Sequence, residues 1–107
     1  MVVGDARHVA IAALLRDDLG PRVASRLRRQ YFDDPVLRDA AAFAVGSIST
    51  FGIAERATLS RLLRRTHRSE RVELDLRVID RLTEFITIED ANAAVAELGA
   101  TGNGVAV

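Results

Sequence analysis

The sequence predicts an all-α protein that folds as a single-domain bundle of five or six short helices. Apolar residues recur with the 3.6-residue helical period through most of the chain, and pairs such as Gly20-Pro21 and Asp34-Pro35 divide it into short segments. With 107 residues, of which 49% are hydrophobic, the chain is long enough to bury one core. We predict a helical domain over residues 1–99 and a tail over residues 100–107.

The N-terminal half is predicted to contain three helices. The first spans residues 5–19, and the second spans about 22–32 after the Gly-Pro pair. Asp34 is expected to cap a third helix over residues 35–51. Because residues 40–45 are apolar on every side, this third helix is expected to be the central element of the bundle.

The C-terminal half begins with a basic helix over about residues 53–68. Residues 72–76 alternate between apolar and polar side chains as a strand does, yet the apolar spacing beyond them favours a helix over about 75–86. A short strand pair between residues 72–76 and 105–107 is the alternative. A final helix is predicted over residues 88–98, with acidic residues in its first turn, where the helix dipole favours them.

Charge is distributed unevenly along the chain, although the net charge is zero. Residues 53–71 contain six arginines and two acids, whereas residues 72–107 contain two arginines and seven acids. On a helical period, leucines of the basic segment fall on one side. The opposite side carries a set that we name the arginine row, which consists of Arg61, Arg64, Arg65 and Arg68.

Residues 55–63, which read ERATLSRLL, resemble the start of the recognition helix in helix-turn-helix DNA-binding regulators. The resemblance extends over about residues 45–62. In that family this helix lies in the major groove, and its early polar side chains reach base edges. At the turn position where the family usually has a glycine, this sequence has Ile53, and Gly52 is one residue too early. Among the early residues, the resemblance implies contacts with bases or phosphates by Glu55, Arg56, Thr58 and Arg61.

The favoured hypothesis is therefore a non-enzymatic transcriptional regulator that binds double-stranded DNA as a homodimer or a higher homo-oligomer. Several arginines presented together on one helix face suit a phosphate backbone. The alternative is a self-assembling scaffold or adaptor, which would act through protein–protein contacts between its basic and acidic ends. The expected DNA-binding residues are Arg56, Thr58, Arg61, Arg64, Arg65 and Arg68.

Other classes of function find little support in the sequence. The chain contains no cysteine, which excludes disulfides, thiol nucleophiles and cysteine metal sites. The two histidines, His8 and His67, lie on or beside helix faces, where we expect structural roles. We therefore predict no catalytic site, no metal site and no cofactor. No apolar run approaches the roughly 18 residues of a membrane span, and no signal-peptide pattern is present, so we expect a cytoplasmic protein.

Overall fold

The computed structural model describes residues 5–102, which form six α-helices and one short 3-10 turn at Arg29–Tyr31. This described part of the chain contains no strand, so the all-α prediction is confirmed. None of its helices is both long and apolar enough to cross a membrane. The helices are α1 (Ala6–Leu14), α2 (Gly20–Ala24), α3 (Pro35–Phe51), α4 (Arg56–Thr66), α5 (Glu70–Thr83) and α6 (Ile88–Gly102).

The strand alternative for residues 72–76 is wrong, because these residues lie within α5. Val72 and Leu76 are one helical turn apart and face the core, whereas Leu74 is 56% exposed. An exposed leucine between two buried residues therefore produces the alternation that resembles a strand. The other half of the predicted pair, residues 105–107, lies outside the described residues. The last helix also continues past its predicted end at residue 98, as far as Gly102.

The first helix is shorter than predicted, because α1 ends at Leu14 and not at Leu19. The backbone at Gly20 passes directly against the end of α1. A Cβ at this position would lie 2.8 Å from the carbonyl oxygen of Leu14 and 3.0 Å from Cδ1 of Ile48. Only glycine allows so close an approach, so the chain turns after α1 and starts α2 against it.

The second predicted helix, over about residues 22–32, is also corrected. Its N-terminal part is the short helix α2, and its C-terminal part is the 3-10 turn. An extended backbone at Arg28 separates them. This break places Phe32 in the core, where it is 2% exposed, and leaves Arg29 in solvent.

The centre of the bundle is α1 and not α3, in contrast to the prediction from the sequence. Residues 10–14 of α1, which read AIAAL, are each at most 1% exposed. Alanine side chains let other helices approach closely, and α1 packs against α2, α3, α5 and α6. By contrast, α3 reaches the surface at its C-terminal end, where Phe51 is 78% exposed.

Both predicted ends of α3 are confirmed. The Asp34 carboxylate accepts hydrogen bonds from the backbone amides of Val36 (2.8 Å) and Leu37 (3.2 Å). Burial tends to raise the pKa of Asp34, but these amides and the Arg71 guanidinium outweigh it and hold the pKa below its usual value. At the other end, Gly52 adopts a left-handed conformation with φ of 86°.

Candidate nucleic-acid interface on α4

Helix α4 lies at the edge of the bundle, where it packs against α3 and α5. Leu59 and Leu63 are one turn apart, and both are fully buried. The helix is therefore amphipathic as predicted, with its apolar side in the core and its opposite side in solvent. It follows α3 directly through residues 52–55, so α3 and α4 are consecutive helices joined by a short turn.

Two predicted DNA-binding residues form ion pairs with α5. Arg56 donates from Nε (2.6 Å) and Nη2 (2.5 Å) to the carboxylate of Asp80, and Arg64 donates from Nε (2.7 Å) and Nη2 (2.9 Å) to the carboxylate of Glu73. Both pairs are bidentate, a geometry that fixes the direction of the guanidinium plane. The hydrogen bond and the charge of each partner raise the pKa of Arg64 and lower that of Glu73.

The arginine row is therefore not uniformly free, because Arg64 is neutralised within the molecule. The three others are Arg61, Arg65 and Arg68, which we name the open arginines. All three are exposed, and none has an ion-pair partner among residues 5–102. Arg61 and Arg65 are one turn apart on the side of α4 that faces away from the core, and Thr58 lies half-buried one turn before Arg61.

The segment from the end of α4 to the first turn of α5 is tied to the start of α3. Nε2 of His67 lies 2.6 Å from Oδ2 of Asp39, and Arg71 forms an ion pair with Asp34. Arg68 stands between these two attachments, so the backbone that carries it is held on both sides. Neither pair was predicted from the sequence, because the partners are 28 and 37 residues apart in the chain.

The turn before α4 differs from the pattern in the helix-turn-helix family. The left-handed residue is Gly52, which ends α3, and Ile53 at the family's glycine position is 44% exposed. Glu55 occupies the N-cap position of α4, but its side chain makes no capping hydrogen bond. At the start of α4, the N-cap residue Glu55 is therefore exposed and Thr58 is half-buried.

A second basic group was not predicted from the sequence. Arg28, Arg29 and Arg38 border a cleft between the 3-10 turn and α3. The available signal was the segment 22–29, which contains four arginines, together with the absence of any acid from residue 19 to residue 32. The predicted anion-binding surface was the basic helix alone, so this segment was not predicted.

The histidines and the buried serine of the described region all have hydrogen-bond partners. His8 lies between Asp5 and Asp75, and the Ser60 hydroxyl donates to the Ala57 carbonyl oxygen at 2.9 Å. Neither His8 nor His67 has a serine among its hydrogen-bond partners within residues 5–102. In the same region, no group of three or more His, Cys, Asp or Glu side chains is placed to hold a metal ion.

No family model matches the chain, and no curated protein or solved structure matches it either. The surface of the molecule is therefore the basis for assigning a function. Among residues 5–102, the outward side of α4 and the cleft beside the 3-10 turn both present exposed arginines without an ion-pair partner.

Proposed function

We propose that the protein binds double-stranded DNA through the outward side of α4. The observation that carries this proposal is the position of the open arginines, which are exposed and lack an acid partner among residues 5–102. Guanidinium groups bind phosphates bidentately and remain charged at any cellular pH. The resemblance of residues 55–63 to a recognition helix supports the same side of α4, and Thr58 and Arg61 lie on it.

The ion pairs of α4 define which arginines remain for a ligand. Asp80 and Glu73 hold Arg56 and Arg64 against α5, so these two guanidiniums fix the orientation of the helix. We assign phosphate contacts to Arg61, Arg65 and Arg68 alone. Three contacts correspond to a modest, strongly salt-dependent affinity rather than to tight binding by one subunit. A homodimer would double the number of phosphate contacts. The expected cytoplasmic location is part of the same proposal.

Fluorescence anisotropy with a labelled random-sequence duplex tests this proposal. Three phosphate contacts predict a slope of log affinity against log salt of about −2.7 for a monomer, which is roughly a 40-fold loss between 50 and 200 mM salt. Reversing the charge of all open arginines, in Arg61→Glu, Arg65→Glu and Arg68→Glu, should weaken binding at 50 mM salt by at least about tenfold.

The matched control for that variant is Arg22→Glu, Arg77→Glu and Arg81→Glu. These three arginines are also exposed, and the control changes the net charge by the same amount. It should retain most of the affinity of the original protein. An equal loss in the two triple variants would show that only overall charge matters, and no binding at micromolar protein in 50 mM salt would end the proposal.

A different observation favours the second candidate function, which is self-assembly. Leu74 in α5 and Phe85 in the turn that follows α5 are 56% and 62% exposed. Half-buried Val78 lies between them, and Glu73 and Asp80 lie on another side of the helix. In an antiparallel two-fold pairing of α5 with its copy, Leu74 of one subunit meets Phe85 of the other.

Light scattering across a range of protein concentrations tests this assembly. Leu74→Glu with Phe85→Glu should convert the oligomer into a monomer, because each glutamate would bring an unpaired charge into the contact. The control is Phe51→Glu with Ile53→Glu, which alters two other exposed apolar residues by the same charge. Since the predicted contact is apolar, added salt should not dissociate the oligomer. A wild-type monomer at all concentrations would contradict this candidate.

A further inference from the structure

We propose that the cleft between the 3-10 turn and α3 binds a small carboxylate with a hydrocarbon body. The cleft has a volume of about 170 Å³. Arg28 and Arg29 reach it from the segment of the 3-10 turn, and Arg38 reaches it from the first turns of α3. The remaining lining is apolar, and its larger members are Leu27, Phe32 and Val45.

The charge of the cleft indicates an anionic ligand. Its three arginines have no ion-pair partner among residues 5–102. The acids nearest to them in the chain are Asp33, Asp34 and Asp39, and each is engaged with another side chain of the fold. An anion in the cleft would therefore meet three guanidiniums that are not ion-paired with any carboxylate of residues 5–102. Arg38 is half-buried, where charge attraction is less screened.

The apolar part of the cleft selects among anions. A phosphate or sulfate ion would contact the arginines but would leave the surface of Leu27 and Val45 uncovered. A carboxylate group can accept two parallel hydrogen bonds from one guanidinium while its hydrocarbon body covers that surface. Since the volume is below the roughly 300 Å³ at the lower end of common ligand pockets, the body must be small. We therefore assign a monocarboxylate with a short aliphatic or aromatic body.

Titration calorimetry with acetate, butanoate and hexanoate tests this assignment. Each added methylene should raise affinity by a factor of up to about four, because each buries further apolar surface. Hexan-1-ol, which lacks the charge, and inorganic phosphate, which lacks the body, should each bind at least about tenfold more weakly than hexanoate. In amide NMR spectra, hexanoate should shift the signals of residues 27–32 and 38–45 most strongly.

Two kinds of variant separate the charge from the apolar surface. Arg28→Gln with Arg29→Gln changes exposed residues only and should weaken hexanoate binding about tenfold. Ala42→Leu, at an exposed lining residue, should fill part of the cleft and weaken hexanoate binding more than acetate binding. Arg22→Gln is the control, because Arg22 is exposed but does not line the cleft.

Three results would overturn the assignment. The first is that hexanoate binds no more tightly than acetate, and the second is that phosphate binds more tightly than hexanoate. The third is that Arg22→Gln loses as much affinity for hexanoate as Arg28→Gln with Arg29→Gln. The melting temperature of each variant shows whether it is folded. The site lies on the 3-10 turn and α3, so its test stands or fails separately from the proposal for DNA binding.

Discussion

Replacing His8 with leucine should lower the free energy of unfolding by about 3 kcal/mol near neutral pH. Nε2 of His8 lies 2.9 Å from Oδ1 of Asp75, and both residues are only 9% exposed. The other oxygen of Asp75 is buried and has no hydrogen-bond partner among the described residues. Without the imidazole, Asp75 would be left as a buried carboxylate with neither oxygen satisfied.

The other ring nitrogen of His8 connects this pair to the start of α1. Nδ1 lies 3.4 Å from the backbone nitrogen of Asp5 and 3.2 Å from its Oδ1. The unprotonated nitrogen can accept from the amide, and the protonated nitrogen can donate to the carboxylate. His8 therefore joins the N-cap of α1 to α5 in either protonation state. Burial tends to raise the pKa of Asp5, but Arg7 and His8 outweigh it and lower the pKa to about 2.

Urea denaturation measures the cost of the His8→Leu substitution, and the second histidine–aspartate pair provides a control. His67 and Asp39 form a similar contact, but Asp39 is 43% exposed, so water can solvate its carboxylate when the partner is removed. We expect His67→Leu to cost less than about 1 kcal/mol. The double variant His8→Leu with Asp75→Leu should recover most of the stability. Equal costs for the two single variants would contradict the role of burial.

Local features of the fold were predictable from the sequence, because they depend on neighbours within a few residues. Asp34 caps α3, and Gly52 ends it, as the capping pattern indicates. The two sides of α4 also follow from the helical period, since Leu63 is buried and Arg65 is exposed. The helical period of one segment is therefore enough to predict which of its side chains are buried and which are exposed.

The ion pairs of Arg56 and Arg64 were not predictable in the same way. Arg56 and Arg64 find their partners on α5, at separations of 24 and 9 residues, and only the packing of the two helices brings the groups together. Helical period shows that a side chain leaves the core, but it does not show which acid stands beside it. The sequence therefore predicted the solvent side of α4 but not that Arg64 is ion-paired.

The position of α1 depends on packing in a similar way. Its buried segment AIAAL and the apolar run AAAFAV of α3 are both rich in alanine, so composition does not distinguish the two helices. The run in α3 was predicted to be the centre, yet Ala42 within it is exposed. Small side chains matter here because they let several helices meet around one axis, which is a property of the assembled bundle.

Substituting alanine for Ile11 should lower the free energy of unfolding by about 3–4 kcal/mol. Ile11 is fully buried in α1, where four other helices pack around it. Removal of three carbon atoms leaves a cavity that the surrounding helices can close only in part. A loss of this size is a large fraction of the roughly 5–15 kcal/mol that stabilises a domain of ordinary size.

The comparison that tests the central position of α1 is Phe51→Ala in α3. Both substitutions introduce alanine into a helix, but Phe51 is 78% exposed, so its removal should change stability by less than about 0.5 kcal/mol. Urea denaturation at 25 °C measures both variants against the original protein. If α3 were the centre of the bundle, the larger loss would come from residues in α3, and Ile11→Ala would be mild. A cost of Ile11→Ala no greater than that of Phe51→Ala would show that α1 does not occupy the centre of the core.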